Sequence, residues 1–571
     1  MRSFLPSALV LSFLLAGCGG AEAPSVITSK GGRHYGGIFN WNEAGTLRSL
    51  FPLSLATTAE FRVASLAFQG LVRFDPNDLS VKPCLAERWE VDPTGTVYTF
   101  TLREDVRFHP DSTAAKEDLR PLLAEDVVTC FRKLCTAAPE NQMFWLFQGR
   151  VKGADEHYAA SLRGEAPGGL PGITAVDEHT LRVELVSPEP LFLQVLAHQG
   201  CWIYGDRPRS ARRISSLAQG TGPFVLRQTG DDGPLVFERF AHYWEKDQYG
   251  NALPYLDGVR VTFDHDKSHE LDEFIAGHLS LMVDPPVERL GELVAPAQVG
   301  GAAHPFVVQR LPGLSVQFYG FNALRPPFDD VLVRRAFALA IDQGFLADSV
   351  LKGAAVRSEH GVVPPGMNGY PEELVSGLAY DPDSARELLA LAGYPGGKGF
   401  PTVRIQVNND GFGYGRVAEA VQTMIERNLG IGLLISVLPV DQHYDRVDLG
   451  QAQLWRQGWS ADYPDPENFL ALFYGRNAVL DPTLPSALNT TRYHNARFDS
   501  LFLAARAAPD HGTRMRLLAQ AEDQAMEDVT VAPLYFERTV RLLQPWVQGM
   551  PINAMDLRYL EGVWFDPAER N

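Results

Sequence analysis

Between Thr402 and Leu438 the hydrophobic period of the chain changes twice. Thr402 to Asn408 reads as a strand. Val417, Ala420, Val421, Met424 and Ile425 then recur at helical spacing up to Gly430, and Leu433 to Leu438 reads as a strand again. A strand, helix and strand in so short a stretch form a βαβ unit, which makes the sheet at least partly parallel. A further helix (about 441–450) and strand (about 452–457) follow. Upstream, Val333, Ala336, Phe337, Ala340 and Ile341 make the buried stripe of another helix. Asp381 caps a second one, with Pro382 at its first position, Ala385, Leu388, Leu389 and Ala392 as its stripe, and Gly393 as its stop. Nearer the start, Val97 to Leu102 alternates at period two after the turn Asp92-Pro93-Thr94-Gly95, a hairpin strand with one buried face. The fold class is α/β with mixed sheets.

At 571 residues the chain holds about two to four compact units. With 45% hydrophobic residues it needs neither metal nor disulfides to build a core. A net charge of −18 and the lack of any Lys/Arg-rich run argue against a nucleic-acid partner. No apolar stretch after the first twenty residues could span a bilayer, and no repeat suggests a solenoid. The first residues do carry an export signal: Arg2, an apolar run from Leu5 to Leu15, then Leu15-Ala16-Gly17-Cys18. That ending has the form of a lipobox, so Cys18 is expected to begin the mature chain and carry a lipid, with 18–29 as a flexible tether. In an oxidising space Cys84, Cys130, Cys135 and Cys201 allow three pairings. Cys130 and Cys135 would point about 140° apart on a helix, so no local bridge is expected there.

One segment stands where α/β proteins place ligands. Arg456-Gln-Gly-Trp459-Ser-Ala-Asp462-Tyr463-Pro-Asp465-Pro466 follows the carboxyl end of a strand. Asp465-Pro466 is already cap and first position of a helix, which leaves Asp462 spare for a ligand or for bonding nearby amides. His265, His269 and Glu273, at i, i+4 and i+8, would share a helix face and could hold a metal, or be a solvated first turn. The sequence has no His-Glu-x-x-His box, no Gly-x-Ser-x-Gly elbow and no phosphate loop. Phe144-Trp145 suits core packing or a cleft wall.

Eight motifs in order carry a resemblance. They are Phe68-Gln-Gly-Leu-Val-Arg-Phe-Asp75, Tyr98 to Phe108, Gly220-Thr-Gly-Pro-Phe224, Phe328 to Asp342, Val363-Pro-Pro-Gly366, Tyr380 to Arg386, Gly458 to Pro466 and Pro545-Trp-Val-Gln-Gly549. Together the sequence resembles the oligopeptide/dipeptide-binding lipoproteins of bacterial ABC importers, the family 5 extracellular solute-binding proteins. The resemblance implies a two-lobe, type II periplasmic-binding-protein-like fold with the ligand in an interlobe cleft. Signal peptide 1–17 and tether 18–29 would precede a discontinuous first lobe (30–71, 205–305 and 541–571), with an extra subdomain at 72–204 and a second lobe at 306–540. By this resemblance Asp462 pairs with a peptide's α-ammonium, Trp459 walls a side chain, and Arg456 could meet a carboxylate. Gly458 and Tyr463 complete the expected ligand-binding set.

The function implied is that of a monomeric receptor, lipid-anchored to a bacterial membrane and facing the periplasm or the exterior. It would use no cofactor and no catalysis, and would hand peptides, oligopeptides foremost, to an ABC permease driven by its ATPase. Departures exist: Leu50-Phe51-Pro52 stands where many members have Leu-Asp-Pro, and Gln69 where many have Glu. Asn408-Asn409-Asp410 has no arginine where dipeptide binders carry one, which counts against a strict dipeptide specialist. A nickel chelate, an oligosaccharide or glutathione stay open as alternative ligands. A secreted hydrolase using His265 and His269 is the rival from another class.

Overall fold

The structure, a computed structural model, describes residues 27–45, 47–110, 119–165, 168–205, 219–228, 233–293, 306–409, 413–481, 483–508 and 510–570. The expected signal segment, Cys18 and most of the tether lie outside the described residues.

Val403–Asn408 and Leu433–Leu438 pair in parallel, joined by helix Tyr414–Leu429. Val417, Val421, Met424 and Ile425 face the core from that helix, and Gly430 ends it at φ 70°, a conformation that suits glycine. Helix Val440–Asp448 leads to strand Leu454–Ser460, which is parallel to Val403–Asn408 on its other side. The reading of this half as α/β is therefore realised. Helix Pro382–Leu391 starts on the Asp381 side chain and buries Ala385 and Leu389. Helix Val331–Leu339 buries Val333, Ala336 and Phe337. Strand Val97–Leu102 alternates as expected, with Tyr98, Phe100 and Leu102 inside.

Strands Val403–Asn408, Leu433–Leu438 and Leu454–Ser460 belong to a mixed sheet of eleven. It serves two large hydrophobic cores. The first collects Trp41, Phe68, Phe100, Phe131, Phe192 and Phe237, with Phe565 returning from the far end of the chain. A four-stranded sheet that includes Val97–Leu102 and Thr180–Glu184 packs on this same core, so it has no separate interior. The second core collects Phe318, Phe337, Ile405, Ile425, Phe469 and Phe498.

Two long strands pass from one body to the other. Val307–Phe321 and Val531–Leu543 pair antiparallel from Val307↔Leu543 to Gly320↔Val531. Leu543 is buried in the first core, whereas Val316 and Phe536 are buried in the second. Between them the register breaks at Pro312/Val316, where the ladder is locally loosened. Cys84, Cys130, Cys135 and Cys201 are all buried, and no disulfide occurs among the described residues.

Candidate ligand-binding site

Strand Leu454–Ser460 lies in the second body between Val307–Phe321 and Val403–Asn408, and its carboxyl end points toward the first body. Asp465 accepts from the Glu467 N–H at 2.9 Å and so caps helix Pro466–Leu470, with Pro466 at its start. Asp462 is indeed not the cap. Asn468, on that short helix, folds the intervening loop back. Its side-chain oxygen accepts from the Asp462 N–H and from Trp459 Nε1, both at 2.9 Å, while its Nδ2 donates to Asp462 Oδ2 at 3.1 Å.

The other carboxylate oxygen of Asp462 reaches across to the first body. His198 Nε2 lies 3.2 Å from Asp462 Oδ1. His198 Nδ1 accepts the Gly200 N–H at 2.9 Å, so the ring proton sits on Nε2 and is donated to the carboxylate. Both donors to Asp462 are thus neutral groups. Among the described residues no Lys or Arg pairs with it, although its side chain is only 12% exposed. A nearly enclosed carboxylate with amide and imidazole donors alone keeps its charge available for a cation. Phe61 and Trp145 stand edge-on to His198 at 5.8 and 5.6 Å between ring centroids.

The remaining motif residues divide between the two bodies. Trp459 packs against the second core. Gly458 sits opposite Gln317, whose side chain lies 2.5 Å from where a Cβ would stand, so only glycine fits without a shift. Arg456 is buried within the second body. Its guanidinium lies over the Tyr414 ring, 3.4 Å from the centroid, and donates to Gln317 Oε1 and to Asn408 Oδ1 at 3.3 Å. Gln317 in turn donates to Glu537 Oε1 at 2.8 Å, so a polar row from Asn408 to Glu537 crosses four strands. Tyr463 is fully buried in the first core, and its hydroxyl donates to Glu467 Oε2 at 3.0 Å.

Glu467 leads into a cluster that the sequence did not announce. Arg150 of the first body donates to Glu467 Oε1 of the second at 2.8 Å, and Arg506 of the second donates to Glu189 Oε2 of the first at 3.1 Å. The square closes within each body, with Arg150–Glu189 at 3.5 Å and Arg506–Glu467 at 3.8 Å. Burial alone would raise the Glu467 carboxyl. The Arg150 and Arg506 guanidiniums outweigh it and hold that carboxyl below its ordinary value. A cavity of about 340 Å³ opens beside this contact, between Pro190, Leu191 and Gln194 on one side and Pro464, His511 and Arg514 on the other.

The histidine cluster differs from its expectation. His265 lies before the helix, since Asp266 caps Lys267–Ile275, so His265, His269 and Glu273 do not share a helical face. His265 contacts the Ala44 carbonyl and His269 pairs with Asp264. No group of three metal-binding side chains occurs among the described residues. Phe144 stacks on Tyr158 at 3.9 Å, and Trp145 faces the contact between the bodies through His198.

Residues 80–480 match the family model of the bacterial extracellular solute-binding proteins, family 5, and the chain belongs to that family. Its members are transport receptors. The dipeptide-binding protein of Escherichia coli (strain K12) is 27% identical over 511 residues, covering 87% of this chain and 88% of that protein. The Escherichia coli murein tripeptide binding protein MppA superposes with a TM-score of 0.77 at 24% identity, covering 93% of this chain and 98% of that one. Against MppA in its unliganded open form the TM-score is 0.63 at 25% identity, with 92% and 97% covered.

Proposed function

We propose that this chain is the peptide receptor of a bacterial ABC importer and that it holds a peptide's α-ammonium on Asp462. The observation that carries the reading is the state of that carboxylate: nearly enclosed, fixed at both oxygens by neutral donors, and paired with no cation among the described residues. The names of the relatives, a dipeptide-binding and a murein tripeptide binding protein, support the same ligand class. Trp459 and the space beside Arg514 would take side chains, while Arg456, Gly458 and Tyr463 shape the floor of the site. The receptor does no chemistry on its cargo. Its two bodies close by bending where the strands Val307–Phe321 and Val531–Leu543 cross, and closure is selected by contacts made only when shut. A lipid on Cys18 would tether it near the permease.

Native and denaturing mass spectrometry of the protein taken from its own membrane fraction tests both parts. The expected result is a mature chain beginning at a lipid-modified Cys18, with co-purifying masses that fragment as peptides. A bound saccharide or metal chelate in place of peptides would overturn the ligand class, and an unmodified chain would overturn the anchor.

A further inference from the structure

Resting on that reading of Asp462, we infer that His198 is a positioning residue of the ammonium site, contributed by the opposite body. It is 1% exposed, follows helix Phe192–Ala197 directly, and is wedged between the edges of Phe61 and Trp145. The Gly200 N–H occupies Nδ1 and thereby fixes which nitrogen carries the proton. The ring can therefore do one thing at its other end, which is to donate from Nε2 to Asp462 Oδ1. That bond joins residues 264 positions apart, one on each body, so it exists only while the bodies are together. Closing thus turns the carboxylate into one fixed orientation, with Oδ1 held by His198 and Oδ2 by Asn468. The lone pairs left over point in set directions, and an ammonium is read by direction as well as by charge. Because the donor is neutral, His198 orients the anion without cancelling it.

Two substitutions separate this role from packing. His198→Asn keeps an acceptor close to the Gly200 N–H but is too short to reach Asp462. His198→Gln is long enough to place an amide N–H near the position of Nε2. Calorimetry with a free-amine tripeptide and its N-acetylated twin reads the outcome. His198→Asn is expected to weaken the free-amine peptide roughly 10- to 100-fold, the range for a hydrogen bond to a charged group. The acetylated peptide should lose clearly less, only the share the bond contributes to closure itself, and His198→Gln should recover most of the free-amine loss. Equal losses for both peptides, or two variants that both bind as wild type does, would overturn the inference. An Asp462→Asn control separates the failures: if it weakens free-amine binding while the His198 variants do not, only the role of His198 falls. If it too has no effect, the ammonium reading falls with it.

Discussion

Asp462→Asn should weaken binding of a free-amine peptide by roughly 30-fold to several-thousand-fold. The substitution keeps the shape of the side chain and keeps an oxygen to accept from His198 Nε2, so the contact between the bodies survives. What it removes is the carboxylate charge proposed to meet the peptide's ammonium. Leaving a buried ionic group unpaired costs on the order of 2–5 kcal/mol, which sets the range. Calorimetric titration of wild type and variant checks it. Equal affinities would remove Asp462 from the site, and with it the main physical reason to favour peptides over another solute.

Arg150→Met should act by a different route. Arg150 and Glu467 are almost wholly buried and belong to opposite bodies, so breaking their pair strips a charge of its partner inside the contact. Removing one side of a buried pair costs about 3–5 kcal/mol. Each body keeps a neutral set when the two separate, because Arg150 retains Glu189 and Glu467 retains Arg506. Without Arg150 the closed contact holds Glu189 and Glu467 against Arg506 alone, whereas on separation Glu189 is left to water, so the penalty falls most heavily on the closed form. Small-angle scattering should then show a larger radius of gyration, and peptide affinity should fall roughly tenfold or more. Glu467 is held below its ordinary carboxyl value, so its stabilisation is full near neutral pH and is lost as pH falls from the ordinary carboxyl range through that lowered value. An unchanged radius together with unchanged affinity would show that the square does not hold the bodies together.

What was legible in the sequence follows from range. The βαβ unit, the Asp381 and Asp465 caps and the Val97–Leu102 strand are set by spacing within a few residues, and the structure has them where the spacing put them. Asp462 could be singled out because Asp465 already explained the cap. His198 could not, since a lone histidine carries no local signal and its partner is 264 positions away. Asn468 lay inside the segment already in view, but nothing marks an Asn three residues into a helix as the group that folds a loop back onto Trp459 and Asp462. The ionic square was hidden for another reason. In a chain with 69 acidic residues any chosen pair of charges is uninformative until the fold brings four together. The histidine cluster shows the converse error: helical spacing from His265 to Glu273 assumed a helix that starts only at Lys267.

A peptide bound as proposed is held by its charged amino terminus between the two bodies. Calorimetry of the wild-type protein with one tripeptide in two forms, free-amine and N-acetylated, tests it most directly, because the two ligands differ only at the group said to meet Asp462. The free-amine form should bind saturably and one-to-one, and the acetylated form at least roughly 30-fold more weakly. Equal affinity for both forms, or no binding of either, would contradict it.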